Sequence, residues 1–257
     1  MQSILFEVKD SVAYITLNRP DKFNSFNREM ALQMQAALDE CKNETVRAVY
    51  ITGNGKAFSA GQDISELVGE NRIEIKQILS EHYNPIVTRI RKLDKPVVAA
   101  VNGVAAGAGA NIALCCDIVA AAQSASFIQA FSKIGLIPDS GGTFFLPRLI
   151  GWQKASALSM LGDKVPAADA ERMGMLYKVF PDETFSEESQ KIALTLSQMP
   201  TEGLALTKQL LNMSFHSTFE EQLQEEDVFQ QRAAMTYDYN EGINAFLEKR
   251  QPVFKGK

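Results

Sequence analysis

The sequence predicts an α/β fold with mostly parallel strands, followed by a helical C-terminal part. Two patterns carry that expectation. Short apolar or alternating runs at residues 4–17, 46–52 and 97–101 are separated by longer segments of helical periodicity, the order that a parallel sheet with crossover helices produces. After Arg148 the texture turns mostly helical, and from Gly203 to Lys249 the helical pattern is almost unbroken. With 257 residues, 46% of them hydrophobic, the chain can bury a full core as one large domain with an appendage. The division is expected near residue 195, giving a core over 1–195 and a helical part over 196–257.

Taken in order, Ile4–Val8 and Val12–Leu17 alternate apolar and polar residues around Lys9-Asp10-Ser11, a β-hairpin pattern that Asn18-Arg19-Pro20 ends. Phe26–Cys41 sets Met30, Leu32, Met34, Ala37 and Leu38 at the spacing of an amphipathic helix. Val46–Thr52 is the next strand and runs through Gly53-Asn54-Gly55-Lys56 into a small-residue turn, Ala57–Asp63. Ile73–Leu93 is a long helical segment bearing His82 and Tyr83, and Pro96 marks the exit into a buried strand, Val97–Val101. Asn111–Ala122 has the length and Ala/Leu/Ile content of a helix. Trp152–Leu161, Ala167–Gly174 and Glu187–Met199 read as helices, Met175–Val179 as a short strand, and the closing QPVFKGK as a surface tail.

Several function classes recede on composition. A net charge of −5 with no basic block argues against a nucleic-acid surface. Cys41, Cys115 and Cys116, with only His82 and His216, make no metal-ligand pattern. The opening MQSILFEVKD has no basic, apolar leader pattern and no apolar run reaches membrane-spanning length, so the cytoplasm is expected.

Chemistry concentrates between Lys95 and Arg148. Gly107 and Gly109 alternate with alanines where a strand passes into a helix, a pattern that fits equally a loop aiming free backbone N–H groups at a closely approaching ligand and tight packing of the helix against the sheet. The turn at Ala57–Asp63 is built alike, and the two turns can direct two donors at one oxygen. Pro138-Asp139-Ser140-Gly141-Gly142-Thr143 places a lone carboxylate after an apolar run; by itself this reads as a turn former or helix cap, with Ser140 and Thr143 equal candidates for the cap.

Five ordered motifs then give a resemblance along essentially the whole chain: LNRPDKFNSF, AFSAGQDI, KPVVAAVNGVAAGAGANIAL, IGLIPDSGGT and AFLEKR. By these the chain resembles the enoyl-CoA hydratase/isomerase (crotonase) family. HYNP, NGVAAGAGA, AFSKIGLIPDSGGT and the closing FKGK are most similar to its phenylacetate-degradation branch, which converts ring-1,2-epoxyphenylacetyl-CoA to an oxepin-CoA. The resemblance implies a crotonase-type ββα spiral core with a helical C-terminal trimerisation region, assembled as a homotrimer or a dimer of trimers.

It also implies roles for residues. The N–H groups of Gln62 and Ala108 would form an oxyanion hole for a thioester carbonyl, with Asp139 as acid/base. Family hydratases carry two water-activating glutamates where this chain has Asn111 and Phe131, which disfavours hydration and favours isomerisation. Asn111 is read either as hydrogen-bonding near the reacting carbons or as capping its helix. Burial beside Ile137, Phe131 and Phe144 would raise the Asp139 pKa. His82 and Tyr83 are read as lining the acyl pocket or as packing. Coenzyme A enters as part of the substrate, with no separate cofactor. Lys22 and Phe23 would lie along it, Ala60 and Asp63 near the adenine, and Phe246 and Lys249 would reach the nucleotide, often from a neighbouring subunit. A Δ3,Δ2-enoyl-CoA isomerase of fatty-acid oxidation and a non-catalytic CoA-binding protein are the alternative readings.

Overall fold

The computed structural model describes residues 2–70 and 72–257. A strand–strand–helix unit recurs four times. The first turn is β1 (Ile4–Lys9), β2 (Val12–Leu17) and α1 (Arg28–Glu40). The second is β3 (Ala48–Gly53), β4 (Ala57–Ser59) and a helical run of α2 (Ile75–Gln77), a π-helical segment (Ile78–Tyr83) and α3 (Asn84–Lys92). The third is β5 (Val97–Val101), β6 (Val104–Ala106) and α4 (Ala108–Leu114), and the fourth β7 (Ile118–Ala122), β8 (Ser126–Ile128) and α5 (Gly142–Ile150). Then come α6 (Trp152–Leu161), β9 (Lys164–Pro166), α7 (Ala167–Arg172), β10 (Lys178–Phe180) and α8 (Asp182–Gln198). Three helices finish the chain: α9 (Thr201–Met213), α10 (Phe219–Ala234) and α11 (Tyr237–Glu248).

The hairpin and the leading strands of the later turns form a six-stranded sheet in the order β1-β2-β3-β5-β7-β10, parallel apart from the hairpin. The trailing strands form a second sheet, β4-β6-β8-β9, antiparallel only at β8–β9. Continuous apolar runs suit β3 and β5, which are covered on both faces. Because β4 and β6 are parallel neighbours, the turns that leave them emerge side by side, and those turns carry the site.

Several expectations change. The segment Asn111–Ala122 is not one helix: α4 ends at Leu114 and Ile118–Ala122 is the central strand β7. An Ala/Ile/Val run buried on all sides has no amphipathic period, so its sequence fits helix and strand equally. Ala57–Ser59 is strand rather than turn, and the short strands β6, β8 and β9 had no signal of their own. On α1, Ala31 is buried and Leu32 is 39% exposed, shifting the apolar stripe by one residue. The strand read at Met175–Val179 begins only at Lys178.

The C-terminal tail is fastened rather than loose. Arg47 donates from Nη1 to the Phe254 carbonyl and from Nη2 to Met199 O, while buried Asp238 accepts from the backbone N–H groups of Lys255 and Gly256. Glu241 accepts from Arg250 and from the Val253 N–H, which holds its carboxyl down at about 2. Lys208 of α9 donates to Ile90 O and Lys95 O and pairs with Asp117, tying the late helices to the core. No helix among the described residues is long and apolar enough to cross a membrane.

Candidate active site

A cavity of about 490 Å³ opens between the two turns, the start of α5 and the α2–α3 run. Ala60 and Gln62 line it from one turn, Gly107 and Ala108 from the other. The turns touch. A Cβ on Gly61, whose φ is +87°, would sit 2.8 Å from Ala106 O and 3.4 Å from Ala108 N; one on Gly109 would sit 2.6 Å from three atoms of Ser59. Only glycine permits this approach at both places. Ala60 N–H donates to Phe23 O, and Phe26 brackets residue 62 by donating to Gly61 O and accepting from Asp63 N–H. Among the described residues, the N–H groups of Gln62 and Ala108 have no acceptor in the fold. Two free donors therefore lie on one wall of the cavity.

Asp139 lines the same cavity and is the one acid among its described lining residues. It is half-buried, and burial raises its carboxyl above the ordinary range, an effect partly opposed by Ser140 Oγ, which donates to Asp139 Oδ1 at 2.8 Å. Ser140 is buried with φ +52°, left-handed backbone that costs a non-glycine residue energy. Neither Ser140 nor Thr143 caps α5, whose N-cap is Gly141. The Asp139 carbonyl accepts from Gly142 N–H at 2.8 Å and from Asn111 Nδ2 at 2.9 Å.

Asn111 does not cap its helix, whose N-cap is Gly107. It sits mid-helix in α4, fully buried, and does not line the cavity; its amide accepts from Gln129 Nε2 and donates to the Asp139 peptide. Phe131 closes the wall with a buried ring. Ile137 lines the cavity but is 80% exposed, so it forms the rim, and Phe144 turns away to pack against Phe145, Phe215 and Arg148. The desolvation of Asp139 thus owes nothing to a Phe144 wall.

Of the helical pair, Tyr83 lines the cavity and His82 does not. His82 is fully buried with both ring nitrogens unpartnered, and burial pushes its pKa below 6.5. The side chain of Gln62 is held at both ends: Oε1 accepts from Tyr83 Oη at 2.8 Å and Nε2 donates to Glu66 Oε2 at 2.9 Å. Glu66 had no part in the sequence reading, although its position four residues after Gln62 was the available signal. Lys133, also unforeseen, contributes the only cation among the described lining residues.

The residues expected along coenzyme A fall into two groups. Lys22 and Phe23 are exposed beside Ala60 at the cavity edge. Asp63 is buried, paired with Arg19 at 2.9 Å and capping a short helical turn through Ser65 N–H. Phe246 is 82% exposed on a separate apolar groove with Tyr239 and Phe254, and Lys249 ends α11; neither lines this cavity. Among the described residues, no three His, Cys, Asp or Glu side chains gather as a metal site would need.

A family profile described as enoyl-CoA hydratase/isomerase matches residues 7–257. The chain is 45% identical to a 1,2-epoxyphenylacetyl-CoA isomerase of Escherichia coli (strain K12), covering 100% of each. It is 35% identical to a trans-2-decenoyl-[acyl-carrier-protein] isomerase of Streptococcus mutans, covering 100% of this chain and 99% of the other. An enoyl-CoA hydratase structure from Bacillus anthracis superposes with a TM-score of 0.95 at 32% identity, covering 100% of both chains.

Proposed function

The chain belongs to the enoyl-CoA hydratase/isomerase family, and from that premise we propose that it is an acyl-CoA isomerase converting ring-1,2-epoxyphenylacetyl-CoA to an oxepin-CoA. The observation that carries the proposal is a single raised carboxylate, Asp139, lining the same apolar cavity as two unpartnered N–H groups. The thioester oxygen sits against the N–H groups of Gln62 and Ala108. Asp139 removes the proton from C2, and the charge that develops on the oxygen meets fixed donors in a water-poor site, so the enolate is stabilised more than the ground state. A raised pKa makes Asp139 a stronger base than a free aspartate and a competent acid for the return step.

For the epoxide, the electron pair released at C2 is delivered toward the ring. The ring bond bridged by the epoxide opens to the seven-membered oxepin and the proton returns to a ring carbon, so no atom is gained or lost. Hydration is disfavoured because the positions of the hydratase glutamates hold Asn111, committed to a peptide, and Phe131, which is apolar. Coenzyme A is part of the substrate and extends over Lys22, Phe23 and Ala60; Phe246 and Lys249, on a different face, reach nucleotide only in an assembly such as a homotrimer or dimer of trimers.

The second reading, a Δ3,Δ2-enoyl-CoA isomerase, uses the same residues and is favoured by the likeness to the decenoyl isomerase. Turnover of purified protein on 3-enoyl-CoA and on enzymatically generated epoxyphenylacetyl-CoA separates the two. Conversion of the epoxide by the native chain, lost in Asp139→Asn, is the expected result. Activity on 3-enoyl-CoA alone moves the chain to fatty-acid metabolism, and undiminished Asp139→Asn turnover refutes the acid/base assignment.

A further inference from the structure

We propose that Tyr83 is a positioning residue for the carbonyl-binding turn: through the side chain of Gln62, its phenol holds the peptide whose N–H receives the thioester oxygen. This rests on the role given to Gln62 above.

Tyr83 reaches the turn because of a local irregularity in its helix. The segment Ile78–Tyr83 is π-helical between α2 and α3, an arrangement that inserts an extra residue per turn and is often found at functional sites. Tyr83 at its end is 1% exposed, lines the cavity and grips the turn twice. Its Oη donates to Gln62 Oε1, and its ring packs edge-on against Phe26, 6.1 Å between centroids. Phe26 is the residue whose backbone brackets Gln62 on both sides.

The other end of the Gln62 amide is fixed as firmly. Gln62 Nε2 donates to Glu66 Oε2, and Glu66 Oε1 accepts from the N–H of Arg28 at the start of α1. A relay from α1 through Glu66 and Gln62 to Tyr83 thus commits every polar atom of the Gln62 side chain. Its backbone N–H is left free. Burial keeps the phenol protonated, so Tyr83 serves as a donor and not as a second base. Without that hydroxyl, Gln62 Oε1 would lose its hydrogen-bond partner, and the amide would rotate to seek another. Small misplacements of a catalytic donor are costly, about a hundredfold for roughly 1 Å.

The test combines Tyr83→Phe, Gln62→Ala and the double variant. The Ala substitution keeps the N–H and removes only the side chain. Three quantities are read: kcat and KM on 3-enoyl-CoA or the epoxide, Tm, and the infrared stretch of a carbon-13 thioester carbonyl in bound, unreactive phenylacetyl-CoA. Tyr83→Phe is expected to lower kcat about tenfold, with KM unchanged, and to reduce the carbonyl red shift; the double variant is expected to be no worse than Gln62→Ala. Glu66→Ala, at the far end of the relay, should move the carbonyl in the same direction, which keeps the proposal testable if Tyr83→Phe folds poorly. A wild-type red shift retained in Tyr83→Phe and Glu66→Ala overturns the proposal, as do losses that multiply in the double variant. A wild-type complex with no red shift overturns the Gln62 role itself, and the proposal with it.

Discussion

Gly109→Ala tests whether contact between the two turns sets the carbonyl site. The added methyl would lie 2.6 Å from Ser59 Cβ, O and Oγ, against 3.4 Å for an ordinary contact, so the turns must part by about 0.8 Å. Ser59 cannot swing aside: its Oγ donates to Asn24 O and accepts from Gly61 N–H, and the residue is fully buried. On stability the effects oppose each other. Overpacking costs about 1–3 kcal/mol, while alanine in a helix gains about 1 kcal/mol over glycine, so the net loss is roughly 0–2 kcal/mol. On catalysis nothing offsets the shift. Displacing one of two oxyanion donors by most of an ångström should remove about 3 kcal/mol of transition-state stabilisation, roughly a hundredfold in kcat. The measurement is kcat on the acyl-CoA substrate beside Tm, with Gly203→Ala as control, since a Cβ there meets only Pro200 at 3.8 Å. A Gly109→Ala enzyme with wild-type kcat and intact fold would refute the reasoning.

Three further outcomes are expected. Ser140→Ala removes the hydrogen bond that favours charged Asp139, so the carboxyl rises further and the acid limb of kcat/KM moves to higher pH; an unmoved limb would show that this bond does not tune the base. Asn111→Ala takes one donor from the Asp139 carbonyl and a partner from Gln129, and should cost roughly 1–3 kcal/mol in denaturant unfolding together with a fall in kcat; a fall in stability with unchanged kcat would make Asn111 purely structural. His82 is buried neutral with its pKa depressed, net of Glu66 and Glu81 raising it and Arg28 lowering it. Its contribution is complete above 6.5 and is lost as pH falls through the lower folded value, so His82→Leu should flatten the decline of Tm between about pH 7 and 5. Parallel Tm curves would contradict that.

What the sequence announced depended on whether a signal was local. The hairpin could be read because Ile4 and Phe6 alternate with exposed Leu5 and Glu7 on β1, and buried Ile15 and Leu17 with less buried Tyr14 and Thr16 on β2. The two turns left a mark in their glycine spacing, whereas Asp139, a turn former or helix cap on its own, stood out only through the family resemblance. Ile118–Ala122 could not be read, because burial on every side erases period. Nor could the commitment of Asp63 to Arg19 or the anchoring of the tail by Arg47, since these are pairings across 44 and 207 residues that spacing does not encode. The loss of Phe144 from the Asp139 wall has the same origin: neighbours in sequence on a helix point to different faces.

One consequence bears on hydration against isomerisation. Asn111 Nδ2 donates to the carbonyl of Asp139, whereas a glutamate there would present an acceptor to an acceptor. There is also no slack to move it, because even a Cβ on Gly142 would come within 2.3 Å of that amide nitrogen. On this backbone, then, the carbonyl of Asp139 is matched to a donor at 111. The amide at 111 serves as a strut for the Asp139 peptide, and the proposed isomerisation would use that one carboxylate to take and return the proton. That arrangement suits moving a proton along an acyl chain and poorly suits adding water to it.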